Sequence, residues 1–256
     1  MKTLLRVALA SLLLCGAACS SKNPDYFPVG PGRYWQYAVT VTNMDVVKPG
    51  KTILMSEPAE QDGPYKVYPR EVNQQSRLYY VKNDEGVFLY QDKGSKGMQR
   101  CWKGRFSCPR SELELQPVLA REEKKEPFLN PVMLFPLEEG SHWQRHSRTG
   151  ALEMVIDPFR HLLRIEVPVT LDFVVESLDD AVTVKAGHFR HCLRIRGTGK
   201  GYFDADKTLG KAHITVEQTD WYAPGVGLVK TVRLEKTDNA ILSHGEYVEE
   251  LELFRN

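Results

Sequence analysis

A ten-residue pattern occurs twice in this chain of 256 residues. It reads Phe27-Pro28-Val29-Gly30-Pro31-Gly32-Arg33-Tyr34-Trp35-Gln36 near the start and Phe135-Pro136-Leu137-Glu138-Glu139-Gly140-Ser141-His142-Trp143-Gln144 in the middle, in step at an offset of 108 residues. The proline fixes φ and withholds a backbone donor, so no strand runs through it, and the shared glycine permits the positive φ of a turn. The tryptophan three residues later is the first large side chain of a new strand. Each copy reads as a clasp: Phe plugs the rim of a core, the chain turns at Gly, and Trp opens an inward-facing row. Two clasps imply two related β units, 27–131 and 132–256.

The intervening stretches carry a period of two. Trp35, Tyr37, Val39 and Val41 alternate with polar or small residues, the mark of a half-buried strand. Pro49-Gly50 predicts a turn into a short strand from Thr52 to Met55, and Pro69 predicts that a third strand, around Tyr65 and Val67, ends or lies at an edge. The clearest hairpin of the first unit is Leu78 to Lys82, the turn Asn83-Asp84-Glu85-Gly86, and Val87 to Gln91. Its counterpart is Trp221-Tyr222-Ala223, Pro224-Gly225-Val226-Gly227, and Leu228 to Thr231. These hairpins lie more than 108 apart, so the second unit carries an insertion, placed in the long strands after Gly150. The strongest alternation runs through Leu163, Ile165, Val167, Val169, Leu171, Phe173 and Val175. One such strand would exceed about 40 Å and is expected to bend at Pro168. Ser111 to Glu126 fits a helix or a strand, with Pro117 against a long helix. The expected class is all-β: duplicated antiparallel units forming a curved sheet, half-barrel or sandwich, with little helix.

Residues 1–18 stand apart. Lys2 and Arg6 precede an apolar run from Val7 to Leu14 and the small residues Gly16-Ala17-Ala18, a secretory signal too short to span a membrane. Small residues followed by Cys19 resemble a bacterial lipoprotein signal, although Gly16 stands where leucine is usual. That resemblance implies acylation of Cys19, and Ser20 after it implies the outer membrane. Residues 19–26 then form a short lipidated tether, and the membrane becomes a partner. Removing Lys2 and Arg6 from the 34 basic residues leaves 32 against 33 acidic ones. A chain so balanced implies no nucleic-acid partner.

Three stretches carry a wider resemblance: the clasp, Val182 to Ile195 (Val-x-Val-x-Ala-Gly-x-Phe-x-x-Cys-Leu-x-Ile), and Trp221 to Lys230 (Trp-Tyr-Ala-Pro-Gly-Val-Gly-Leu-Val-Lys). They look like motifs of uncharacterised bacterial envelope lipoproteins and secreted proteins, chiefly over residues 132–234, with Lys185 where proline is common. The resemblance implies an exported all-β protein. It brings no activity and no catalytic residue.

Candidate chemistry is sparse. Cys101 and Cys108 read as a disulfide closing a hairpin end in an exported protein, contributing about 2.5 kcal/mol in the chain-entropy model. A zinc pair there lacks a second Cys or His pair nearby. His188 and His191 fall on opposite faces of a strand, and His142 and His146 share a face but sit two same-face steps apart. Cys192 reads as a buried thiol, and the adjacent pairs Asp179-Asp180 and Glu249-Glu250 as solvated edges. No nucleophile elbow, phosphate loop or His-Glu-x-x-His is present. Trp102, Trp221 and Tyr222 are the possible ligand-facing aromatics, and an apolar concave sheet face would suit a hydrophobic ligand. No metal ligand set and no cofactor is expected. The functional expectation is a non-catalytic binding, carrier or structural module with a hydrophobic ligand or an envelope protein as partner. The alternative is a periplasmic hydrolase or metal-dependent enzyme with clustered histidines.

Overall fold

The computed structural model describes residues 24–43, 46–91, 128–155, 162–204, 210–239, 242 and 244–256. The period-two pattern produces fifteen strands among them. These are β1 (Tyr34–Asn43), β2 (Val46–Ser56), β3 (Glu60–Asp62), β4 (Tyr65–Val72), β5 (Ser76–Asn83), β6 (Gly86–Gln91), β7 (Phe128–Leu134), β8 (His142–Arg148), β9 (Glu153–Val155), β10 (Leu162–Arg164), β11 (Pro168–Val184), β12 (Gly187–Asp204), β13 (Lys211–Ala223), β14 (Gly227–Thr237) and β15 (Gly245–Arg255). One antiparallel sheet takes the order β7-β6-β5-β4-β2-β1-β15-β14-β13-β12-β11-β8, with β3 added on β4, and β9 and β10 pair separately. The expected all-β class is therefore what the chain adopts.

The order resolves into two meanders of six strands. The first is β1, β2, β4, β5, β6, β7 and the second is β8, β11, β12, β13, β14, β15. They join through a ladder between β1 and β15. The outer strands β7 and β8 also meet: the Asn130 side-chain amide donates to the His146 carbonyl at 2.7 Å, and its oxygen accepts the His146 N–H at 2.9 Å. The sheet thus curls into a nearly closed barrel. Strand β7 runs across 131/132, and the second clasp follows its end.

Each clasp leads into the first strand of a meander, and the two turns bond alike. Gly32 and Gly140 have φ of 80° and 87°. The Gly32 N–H donates to the Ser56 carbonyl at 2.9 Å and the Ser56 N–H returns to Arg33 at 2.8 Å. Gly140 and Ser141 make the same pair of bonds with Val175, at 2.9 and 2.8 Å. Both prolines of the clasps precede the turn, and the Phe135–Pro136 bond is cis.

Three local expectations need correction. Strand β2 runs straight through Pro49-Gly50 instead of turning there. It pairs with β1 along its whole length, but with β4 only from Leu54 to Ser56, so Pro49 sits where the second edge of β2 has no ladder to lose. Pro69 does not end β4; it falls between the part paired to β2 and the part paired to β3. The run from 163 to 175 is two strands, because the chain leaves the ladder at 165–167, where the Ile165 N–H donates to Leu152. Its alternation survives the break: Ile165, Val167, Val169, Leu171, Phe173 and Val175 are all buried.

Inside the barrel β12 supplies an unforeseen device. Gly197 and Gly199 lie two apart on its inner face, and a Cβ on Gly197 would stand 2.6 Å from the Phe173 ring, while one on Gly199 would stand 2.4 Å from the Thr170 carbonyl. The missing side chains let the large residues of β11 lie against β12, so the main apolar core gathers on that side. Beyond it the β11–β12 hairpin carries three register shifts and folds back on β15, where the Ala186 N–H donates to the Leu251 carbonyl at 3.0 Å. Val182, Val184 and Cys192 pack there with Trp35 and Leu251 in a second core.

Candidate functional site

Beside the main apolar core, part of the interior is polar. Strand β14 runs inside-out: Thr231, Arg233 and Glu235 are buried while Val232 and Leu234 keep partial exposure. Gln218 and Asp220 on β13 are buried beside them. A cavity of about 450 Å³ opens among these residues. Its wall includes Arg70, Arg145, Arg148, Asp220, Glu249 and the tyrosines 37, 80, 222 and 247.

Segment 149–153 forms its floor at the barrel end opposite the clasps. Ala151 and Leu152 are fully buried, and Asn43 Nδ2 donates to the Ala151 carbonyl at 2.8 Å. The Glu235 carboxylate accepts the N–H groups of Gly150, at 2.9 and 3.0 Å, and Ala151, at 2.8 Å. Arg233 balances Glu235 at 2.7 Å and donates to Ser147, Gln218 and the Arg148 carbonyl. This ion pair is fully engaged, and its work is to hold the floor.

Above the floor the charges are less matched. Arg70 is 6% exposed, its Nη2 donates to the Pro28 carbonyl at 2.7 Å, and its guanidinium lies 4.2 Å from the Phe27 ring centre, 4.5 Å from Trp35 and 5.1 Å from Tyr80. The first clasp therefore builds an aromatic cage around a buried cation, whose pKa burial lowers. Arg145 lies 4.1 Å over the Phe173 ring and 3.7 Å from Asp220, which also accepts from Gln218 and Thr231. Among the described residues Arg70 has no carboxylate within ion-pair distance, and Arg148 Nη1 is buried without a hydrogen-bond partner. Burial lifts the Glu249 carboxyl to about 7, with Asp220 adding to the rise and a hydrogen bond from Tyr247 opposing it. Burial also raises the phenols of Tyr37, Tyr80 and Tyr222, so they stay neutral donors.

No family model matches the chain, and no curated protein matches it. Two solved structures are similar. One is a predicted lipoprotein from Parabacteroides distasonis ATCC 8503, 12% identical, covering 91% of this chain and 99% of that one at a TM-score of 0.44. The other is a predicted exported protein with a YmcC-like fold from Bacteroides fragilis NCTC 9343, 11% identical, covering 91% of this chain and 100% of that one at a TM-score of 0.39. At such values the likeness carries no functional reading, which rests on the site itself.

Of the aromatics singled out by sequence, Tyr222 lines the cavity. Its neighbour Trp221 lies outside it, the indole N–H donating to Asp180 at 2.9 Å. Cys19, Cys101, Trp102 and Cys108 lie outside the described residues. Cys192 is a free, fully buried thiol that burial and Asp180 push up to about 11. Four of the histidines take separate partners: His146 meets Thr170, His188 meets Thr183, His191 meets Asp179 and His213 meets Asp238. Sequence reading missed the arginines, because charged residues alternating with apolar ones look solvated. It also took Glu249 and Glu250 together as an edge. Glu250 does face outward to Lys230 at 2.6 Å, but Glu249 faces the cavity.

Proposed function

We propose that this protein is an exported envelope lipoprotein, acylated at Cys19 and held at the outer membrane facing the periplasm, that binds a small polar ligand inside its barrel without catalysing a reaction. The observation that carries the binding reading is the cavity of about 450 Å³, a size typical of small-molecule sites, whose wall sets the charged groups of Arg70, Arg145, Asp220 and Glu249 among apolar residues such as Phe27, Leu89 and Val132. An apolar ligand, the partner suggested by the sequence, would leave buried guanidinium groups without partners, so the lining favours a polar one. The signal-like residues 1–18 followed by Cys19 support export and anchoring.

Native mass spectrometry of the full-length gene product, purified from its own envelope, tests both parts. A mass increment for acyl chains, abolished by Cys19→Ser, is expected together with a second, non-covalent increment. Unacylated protein free in the periplasm would end the anchoring proposal. A bare protein mass, together with no binding of benzoate, phenyl phosphate or benzamide, would end the binding one.

A further inference from the structure

Resting on that binding reading, we propose that the cavity takes a small organic carboxylate, with its anionic end held between Arg70 and Arg145 and its body against Tyr37, Tyr80 and Tyr222.

Charge is the first argument. Among the described residues the wall holds four arginines, Arg70, Arg145, Arg148 and Arg233, against three carboxylates, Asp220, Glu235 and Glu249. Glu235 is committed to Arg233 and the floor. Asp220 is committed to Gln218 and Thr231 and only loosely to Arg145, 3.7 Å away. The cavity thus carries an excess of positive charge even with Glu249 ionised, and a larger one when Glu249 holds a proton. A buried guanidinium without an anion is costly, and aromatic faces offset only part of that cost at Arg70. A ligand carboxylate is the missing counter-ion.

Convergence is the second. Arg70 comes from β4 of the first meander and Arg145 from β8 of the second. Both act electrostatically on the Tyr80 hydroxyl, as does Glu249, and both act on Tyr222. The two guanidinium groups, the two phenols and Glu249 all line the same cavity. Guanidinium forks suit the planar geometry of a carboxylate, and neutral phenols donate to its remaining lone pairs. With Glu249 ionised the excess is one positive charge, which a single negative charge matches. A doubly charged phosphate in the same place would be repelled more strongly by Asp220 and Glu249.

Calorimetric titration of the full chain in detergent with benzoate, phenyl phosphate and benzamide decides the matter, because the three share a ring and differ in head group. Benzoate is expected to bind at least about tenfold more tightly than benzamide, the effect of one charge-assisted contact. Arg145→Met should erase that preference. Glu249→Gln, which replaces a competing carboxylate by an isostere and leaves Arg70 and its cage intact, should tighten benzoate binding at pH 8 and so tests the proposal even if an arginine variant fails to fold. Equal binding of benzamide and benzoate would overturn the carboxylate class while leaving a binding cavity, and tighter binding of phenyl phosphate would assign a phosphate instead. A retained compound from the envelope that proves to be an acid supports the proposal, and a neutral one overturns it. No binding of any probe together with no retained mass would remove the binding reading itself.

Discussion

The two meanders meet twice, and the two seams are built differently. Between β1 and β15 runs a backbone ladder spanning Tyr34 to Asn43, interrupted by one register shift after Gln36. Between β7 and β8 no ladder forms; Asn130 bonds both backbone groups of His146, and the Phe128 ring lies 5.5 Å from the His146 ring. Closure by ladder satisfies the facing backbone groups in turn, whereas closure by one amide side chain concentrates the join at a single residue. The cavity reaches the second seam, since Asn130, Val132 and Ser147 belong to its wall. A barrel with one firm and one soft seam can enclose a polar volume without a continuous rigid wall.

The largest effects should come from the clasp tryptophans, one beside each seam. Trp35→Ala and Trp143→Ala are each expected to cost about 3–5 kcal/mol in chemical denaturation, as deletions of buried aromatic bulk. Phenylalanine separates them. Trp35 Nε1 donates to the Val226 carbonyl at 2.7 Å, but among the described residues Trp143 Nε1 has no partner, and its ring stacks on Phe173 at 5.9 Å. Trp35→Phe should therefore cost about 1–3 kcal/mol more than Trp143→Phe, because it strands a carbonyl. Equal costs would mean that the two clasps are energetically interchangeable.

The next effect tests why the second meander curves as it does. Gly197→Ala places a methyl 2.6 Å from the Phe173 ring, whereas Gly50→Ala, in the first meander, meets only Val39 at 3.8 Å. The first should lower stability by about 1–3 kcal/mol and the second by less than about 1 kcal/mol. If both are tolerated equally, the close approach of β11 to β12 does not depend on the glycine.

What the sequence made legible follows the same division. Signals that depend on one strand alone were readable: the alternation from Ile165 to Val175, the turn glycines of both clasps, and the hairpin at Asn83 to Gly86. What depends on a neighbouring strand was not. Pro49 looks like a turn unless the missing ladder on one side of β2 is known, and Gly197 looks like a weak strand position unless Phe173 is placed opposite it. The cavity was hidden for a related reason. Arg233 and Glu235 occupy the phase of Val229, so apolar and polar residues share the inward face of β14, and periodicity alone assigns the wrong side. Arg70 and Arg145 lie in different meanders, and only closure of the barrel brings them to one volume.

Asn130→Ala probes the soft seam. It should cost about 1–2 kcal/mol, since two bonds to His146 are lost and that backbone is left without a protein partner. Hydrogen exchange should quicken at the amides of β7 and β8 while those of β1 and β15 keep their protection. Uniform quickening at both seams would show that the barrel opens as one unit.

The last expected effect, spread over a pH range instead of read at one condition, is a pH slope from Glu249, which sits on β15 at the firm seam but faces the cavity. Its carboxyl is raised from an ordinary 4.5 to about 7 by burial, so between those values the folded chain keeps a proton that the unfolded chain has released. Stability should accordingly fall as pH rises from about 4.5 to 7 and show no further contribution from this group above that. Glu249→Gln cannot lose the proton. The variant should match the wild type near pH 4, exceed it at pH 8, and flatten the slope between, as measured by the denaturation midpoint at each pH. A wild-type profile already as flat as that of the variant would show that solvent reaches Glu249 through the soft seam and stabilises its charge. The two seams would then share a wetter interior than the buried arginines indicate.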